Sequence, residues 1–163
     1  MTTPTALPDV NPAVEPIAFL LGTWRGEGHG SYPTIDDFHY GEEITFRHNG
    51  KAFLAYSQRS WSLDDGRPLA AESGYWRPQP DGGIEVVMSH PTGICEIYVG
   101  PINGRTIELV SDVIVRTRSA KEVTGIKRLY GMVGVELMYA IDMAAVGQPL
   151  QSHLAATLHR VGD

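Results

Sequence analysis

Six histidines, His29, His39, His48, His90, His153 and His159, and one cysteine, Cys95, are the side chains with the most chemistry to offer. A metal ion held by several histidines needs converging imidazoles. His153 and His159 share one extended segment and stand roughly 20 Å apart at about 3.3 Å per residue, so they cannot share an ion. Cys95 has no cysteine partner, which excludes a disulfide framework, a thiolate zinc site and a C-x-x-C-H attachment. A nucleophilic Cys95 would need a base, and His90 is near it across Pro91-Thr92-Gly93, but nothing supplies an oxyanion site. Cys95 reads instead as a small buried hydrophobe. The glycine-rich run Gly22-Thr23-Trp24-Arg25-Gly26-Glu27-Gly28-His29-Gly30 is no phosphate loop, because neither a Lys-Ser/Thr pair nor a helix follows. G-x-S-x-G and H-E-x-x-H are also missing.

The elements that must position these residues are short strands. After Gly22 the apolar pattern alternates with a period of two, broken by turn residues at Asn49-Gly50, Asp64-Asp65-Gly66, Asp81-Gly82-Gly83, Thr92-Gly93 and Asn103-Gly104. Expected strands cover 23–30, 41–48, 51–61, 70–78, 83–90, 94–100, 105–111, 113–118, 121–131, 134–145 and 152–161, two of them being parts of one bent strand. Before them, the apolar run 12–22 ending in glycine reads as a short helix or turn with a glycine cap. Residues 1–11 read as a flexible tail and 12–163 as a single domain, which suits a chain of 163 residues. A net charge of −6 and the lack of a basic run exclude a nucleic-acid binder, and no apolar stretch is long enough to span a membrane. The N-terminus carries no export signal pattern, so a reducing cytoplasm is the expected location.

Charge marks the expected outer face of each strand. With Glu85 outward, Ile84, Val86, Met88 and His90 point in. With Glu96 outward, Cys95, Ile97 and Val99 point in. With Glu136 and Asp142 outward, Val135, Leu137, Tyr139, Ile141 and Met143 point in. In the last strand His153, Ala155, Thr157 and His159 share one face and Leu154, Ala156 and Leu158 the other, and parity alone does not choose between them. An all-β chain of this size closes into a barrel that is filled or holds one small ligand. An inward histidine on a small-residue face suits either a hydrogen-bonded core position or the single protein ligand of a haem iron. The alternate glycines around Trp24 suit a barrel corner or close approach of a ligand.

The stretch Gly22-x-Trp24-x-Gly26-x-Gly28 through Gly30-Ser31-Tyr32-Pro33-Thr34-Ile35 resembles the nitrobindin family. The likeness continues through Phe38-x-Tyr40-x-Glu42-Glu43-x-x-Phe46, Lys51-x-Phe53-Leu54-x-Tyr56-x-Gln58, Glu72-Ser73-Gly74-Tyr75, His90-Pro91-Thr92-Gly93-Ile94, Ala120-Lys121-Glu122-Val123-Thr124 and Gln148-Pro149-Leu150-Gln151-Ser152-His153-Leu154. It implies a ten-stranded antiparallel β-barrel similar to the fatty-acid-binding proteins, holding one non-covalent haem b per chain, ferric and five-coordinate. It implies His153 as the axial iron ligand, and hence an inward His153/Ala155/Thr157 face. By the same resemblance Thr34 lies against the haem, Lys121 stands near a propionate, and Leu69, Ala70, His90 and Met143 line the pocket. Relatives carry histidine or glutamine where Ala70 stands, which leaves His90 or water for distal polar contacts. The implied activity is isomerisation of peroxynitrite to nitrate together with nitric oxide binding, and a homodimer is compatible with it. The competing expectation is a haem-free barrel carrying an apolar small molecule.

Overall fold

The computed structural model describes residues 6–162. A 3-10 helix, Pro12–Leu20, is followed by β1 (Gly22–Tyr32), β2 (Ile35–Arg47), β3 (Leu54–Ser62), β4 (Pro68–Pro78), β5 (Gly83–His90), β6 (Ile94–Asn103), β7 (Thr106–Arg116), β8 (Val123–Val133), β9 (Glu136–Ala145) and β10 (Gln151–Arg160). Each strand pairs antiparallel with its neighbours in sequence, and β1 also pairs with β10, so the sheet closes into an up-and-down barrel. Closure leaves no free sheet edge. The expected segments 105–111 and 113–118 are one strand, β7, whose pairing shifts opposite Ile97/Tyr98. β2 starts at Ile35 rather than 41, and β3 at Leu54 rather than 51. Of the expected tail, residues 1–5 lie outside the described residues; 6–11 carry no helix or strand, and Asn11 caps the helix by accepting from the Ala13 amide at 2.9 Å.

Strand direction alternates, so the hairpins sort onto two ends. At one end the 3-10 helix plugs the barrel with Val14, Ile17 and Leu20, all fully buried. Pro16 inside this segment has no amide hydrogen to offer an α-helical bond, which suits the tighter winding. Gly22, at φ 119, turns the chain from helix into β1. Trp24 is buried beneath the plug, its indole N–H donates to the Leu20 carbonyl at 2.9 Å, and the Arg160 guanidinium stacks 4.2 Å from its ring. Gly26 and Gly28 face inward on the same strand: a Cβ at Gly26 would lie 2.0 Å from the Thr157 carbonyl, and one at Gly28 would lie 2.5 Å from the Tyr40 ring. The Gly22/Trp24/Gly26/Gly28 motif therefore closes a barrel seam and admits a tyrosine. It is not a contact point for the open end.

Alternation predicts most inward faces correctly. Ile84, Val86, Met88, Leu137, Tyr139 and Ile141 are buried. β6 reverses the expectation: Glu96 and Tyr98 are buried, while Cys95, Ile97 and Val99 are exposed. The carboxylate of Glu96 faces inward because the interior supplies partners for it, which outweighs the ordinary cost of burying a charge. Val135 is also an exception, exposed in the turn before β9. In β10 the register slips between Ser152 and Leu154, so parity inverts at His153. His153 lines the interior, yet the inward residues after it are Leu154, Ala156 and Leu158. Ala155 and Thr157 therefore do not share its face, contrary to expectation.

Candidate functional site

The end opposite the helix is open. There the Ile35 end of β2 and His153 stand between two adjoining cavities, one of about 460 Å3 reaching deep into the barrel and one of about 480 Å3 toward the β7–β8 hairpin. A third, of about 260 Å3, joins them beside His90, and His153 lines all three.

The bulge in β10 turns the His153 imidazole inward, and two contacts hold it. Its Nδ1 is 3.0 Å from the Ser31 carbonyl, an acceptor, so the proton sits on Nδ1 and the Nε2 lone pair is free. The Tyr32 ring meets it edge-on, with centroids 5.3 Å apart. Burial lowers the His153 pKa, the bond to Ser31 opposes that, and the Arg128 charge adds to the lowering. A neutral, oriented imidazole with one free lone pair is the form that ligates a metal. Among the described residues no group of three or more His, Cys, Asp or Glu side chains converges as metal ligands. The donor set here fits a group that brings its other ligands with it, as a porphyrin does.

The sequence-derived residues gather around this imidazole. Thr34 and Lys121 line the 480 Å3 cavity together with Met143. His90 and Met143 line the small one, Leu69 lines the deep one, and Ala70 lines both of these. Val146, on the rim, holds φ 45, a costly conformation for a β-branched residue, in the β9–β10 turn.

Below the mouth lies a polar cluster that charge parity did not reveal. Arg128 donates to Glu72 at 2.8 Å, to the Tyr98 hydroxyl at 3.0 Å and to the Tyr130 hydroxyl at 3.1 Å. Tyr98 donates to Glu96 at 2.5 Å, and the other oxygen of Glu96 bonds to His90 Nε2. Burial pushes the Glu96 carboxyl up, but His90 and Arg128 outweigh it and hold it below the usual range. Deeper still, Gln58 donates to Glu42 at 2.6 Å, and the Tyr40 and Tyr139 hydroxyls share a 2.7 Å hydrogen bond. Burial raises the Glu42 pKa to about 7. A signal for these residues exists in the sequence: Glu42 falls in step with Phe38, Tyr40, Ile44 and Phe46, Gln58 with Leu54 and Tyr56, and Arg128 with Ile126 and Tyr130. For these three, hydrophobic alternation outranks charge; Glu96 has no such signal, because Cys95, Ile97 and Val99 alternate on the face that turns outward.

Residues 13–160 match the family model described as THAP4-like, heme-binding beta-barrel domain. The chain is 50% identical to a Frankia casuarinae protein named peroxynitrite isomerase, over 99% of this chain and 92% of that one. It is 53% identical to peroxynitrite isomerase 1 of Mycolicibacterium paratuberculosis, over 93% of this chain and 97% of that one. The crystal structure of Rv2717c from M. tuberculosis superposes with a TM-score of 0.88 at 48% identity, covering 94% of this chain and all of that one.

Proposed function

Because the chain belongs to the THAP4-like, haem-binding β-barrel family, we propose that it is a haem-dependent peroxynitrite isomerase, with one haem b held non-covalently on His153 at the open end of the barrel. One observation within the fold carries the reading: His153 is neutral, its Nδ1–H is committed to Ser31, and its free Nε2 faces joined cavities large enough for a flat prosthetic group. A bound haem would supply the iron chemistry for rearranging peroxynitrite to nitrate, an isomerisation with no net electron transfer, and for binding nitric oxide.

The chain's own residues hold, orient and exclude. The Ser31 carbonyl fixes the tautomer of His153, and Tyr32 fixes its ring plane. Lys121 places an ammonium at the mouth, where it would neutralise a propionate, and Thr34 lies beside it in the same cavity. Leu69, Ala70 and Met143 present apolar surface that keeps water away from the macrocycle. Glu96 pins His90 at the small cavity, so His90 can orient a polar ligand there where Ala70 cannot. An apolar-molecule carrier is the weaker reading, since Glu42, Gln58, Glu72 and Arg128 line the deep cavity.

Titrating the purified protein with hemin, beside His153→Ala, tests the proposal. The expected result is a Soret band saturating at one haem per chain, lost or shifted in the variant, and accelerated peroxynitrite decay to nitrate only in the loaded wild type. An unchanged band in His153→Ala removes His153 as the ligand, and no band at all removes haem.

A further inference from the structure

The deep cavity holds two buried oxygens with no hydrogen-bond partner, Oε1 of Glu42 and Oε1 of Gln58. Both side chains line the cavity and are nine-tenths buried or more, Glu42 at 2% exposure and Gln58 at 8%. Unserved buried acceptors are costly, so a ligand that supplies donors gains what the unpaired oxygens forfeit. Gln58 donates to Glu42, Arg128 donates to Glu72, Tyr98 and Tyr130, and the Tyr40 and Tyr139 hydroxyls bond each other, so none of these bonds ends on the two free oxygens.

Charge says which donors. The rim of this cavity carries the exposed carboxylates Asp36, Asp37 and Asp64, and its interior carries Glu42 and Glu72. The cavity's two arginines are already engaged, Arg67 with Asp65 and Arg128 with Glu72, each at 2.8 Å. The adjoining cavity on the other side of His153 has Lys121 and no carboxylate at all. Two mouths of opposite character thus flank one histidine, and the acidic one draws cations. Inside it, the rings of Phe38, Tyr56 and Tyr130 offer faces that suit a flat cation.

We propose that the deep acidic cavity is a second binding site, adjoining the Lys121 mouth across His153, which takes a small organic cation bearing N–H donors, of the amidinium, guanidinium or primary ammonium class. The ligand's N–H groups serve the free oxygens of Glu42 and Gln58, and its charge offsets the carboxylate excess. The site does not depend on haem being the occupant of the other mouth.

Calorimetric titration of the purified full chain with benzamidinium, benzoate and benzyl alcohol tests it. Benzamidinium is expected to bind saturably at one site, about tenfold or more tighter than the anionic and neutral probes, and about tenfold weaker to Glu42→Gln. Gln58→Leu, which keeps the Glu42 carboxyl and removes one acceptor, is expected to weaken it severalfold and serves if Glu42→Gln melts prematurely. Absence of saturable benzamidinium binding, equal binding of benzoate or benzyl alcohol, or an affinity unchanged in both variants overturns the proposal, and buried water alone then serves the two oxygens.

Discussion

Glu42 makes the protein's stability depend on pH in a direction opposite to that of an ordinary surface carboxylate. Burial raises its pKa from 4.5 to about 7. Below the unfolded-state value both states hold the proton and the folded protein bears no penalty. Between the two values the folded chain holds a proton that the unfolded chain has released, so stability falls as pH rises, and the loss is complete above the folded value. A shift of that size corresponds to about 3 kcal/mol at full effect, an upper figure that any relaxation of the barrel reduces. The perturbation is Glu42→Gln, which keeps the shape and removes the titration. Urea unfolding of wild type and variant, at intervals from about pH 4.5 to about pH 8, reads the difference. Wild type is expected to lose about 2–3 kcal/mol relative to the variant across that range. Other groups titrate as well: Glu96, held below the usual range, contributes stability that is lost as pH falls, and His153, also lowered, acts in the same sense. Both are present in both proteins and cancel in the difference. A flat difference, or one in which wild type gains on the variant with rising pH, would refute the assignment of Glu42 as a buried acid.

Three further outcomes are expected. Arg128→Met leaves Glu72 and Glu96 without their buried cation and should cost about 3–5 kcal/mol in denaturant melts, partly restored by adding Glu72→Gln. Gly28→Ala drives a methyl against the Tyr40 ring and the Ala155 carbonyl and should destabilise by about 1–3 kcal/mol, with Tyr40→Ala relieving part of the clash. Lys121→Ala should weaken hemin affinity by about two- to fivefold, an effect that shrinks at high salt, because an exposed ion pair is worth no more than about 1 kcal/mol; a loss as large as that of His153→Ala would mean Lys121 does more than pair a propionate.

The barrel was legible because its turns and its alternation are local. Gly93 and Gly104, at φ 92 and 59, sit where the sequence places tight turns, and neither conformation suits a residue with a side chain. The gathering of Thr34, Leu69, Ala70, His90, Lys121, Met143 and His153 at one end was legible through the motif resemblance, and the antiparallel meander carries it out by bringing alternate hairpins to the same rim. The reversal in β6 has a different cause from the bulge in β10. A charge is costly inside, which predicts an outward Glu96, yet Tyr98 on its own strand, His90 on β5 and Arg128 on β8 supply partners that reverse the balance.

By itself, then, the sequence determined strand count and turn positions, since both follow from the period of two and from residue types read a few positions at a time, while the inward His153 came from the motif resemblance and not from parity. Only the tertiary structure decided that the bulge at His153 sends Ala155 and Thr157 outward, that Glu42, Gln58, Glu72, Glu96 and Arg128 form a buried polar interior, and that two mouths of opposite charge meet at one imidazole. Alternation hints at the inward side of Glu42, Gln58 and Arg128, but the bulge, the pairing of these groups with one another and the meeting of the two mouths depend on the register between strands and on partners from other strands.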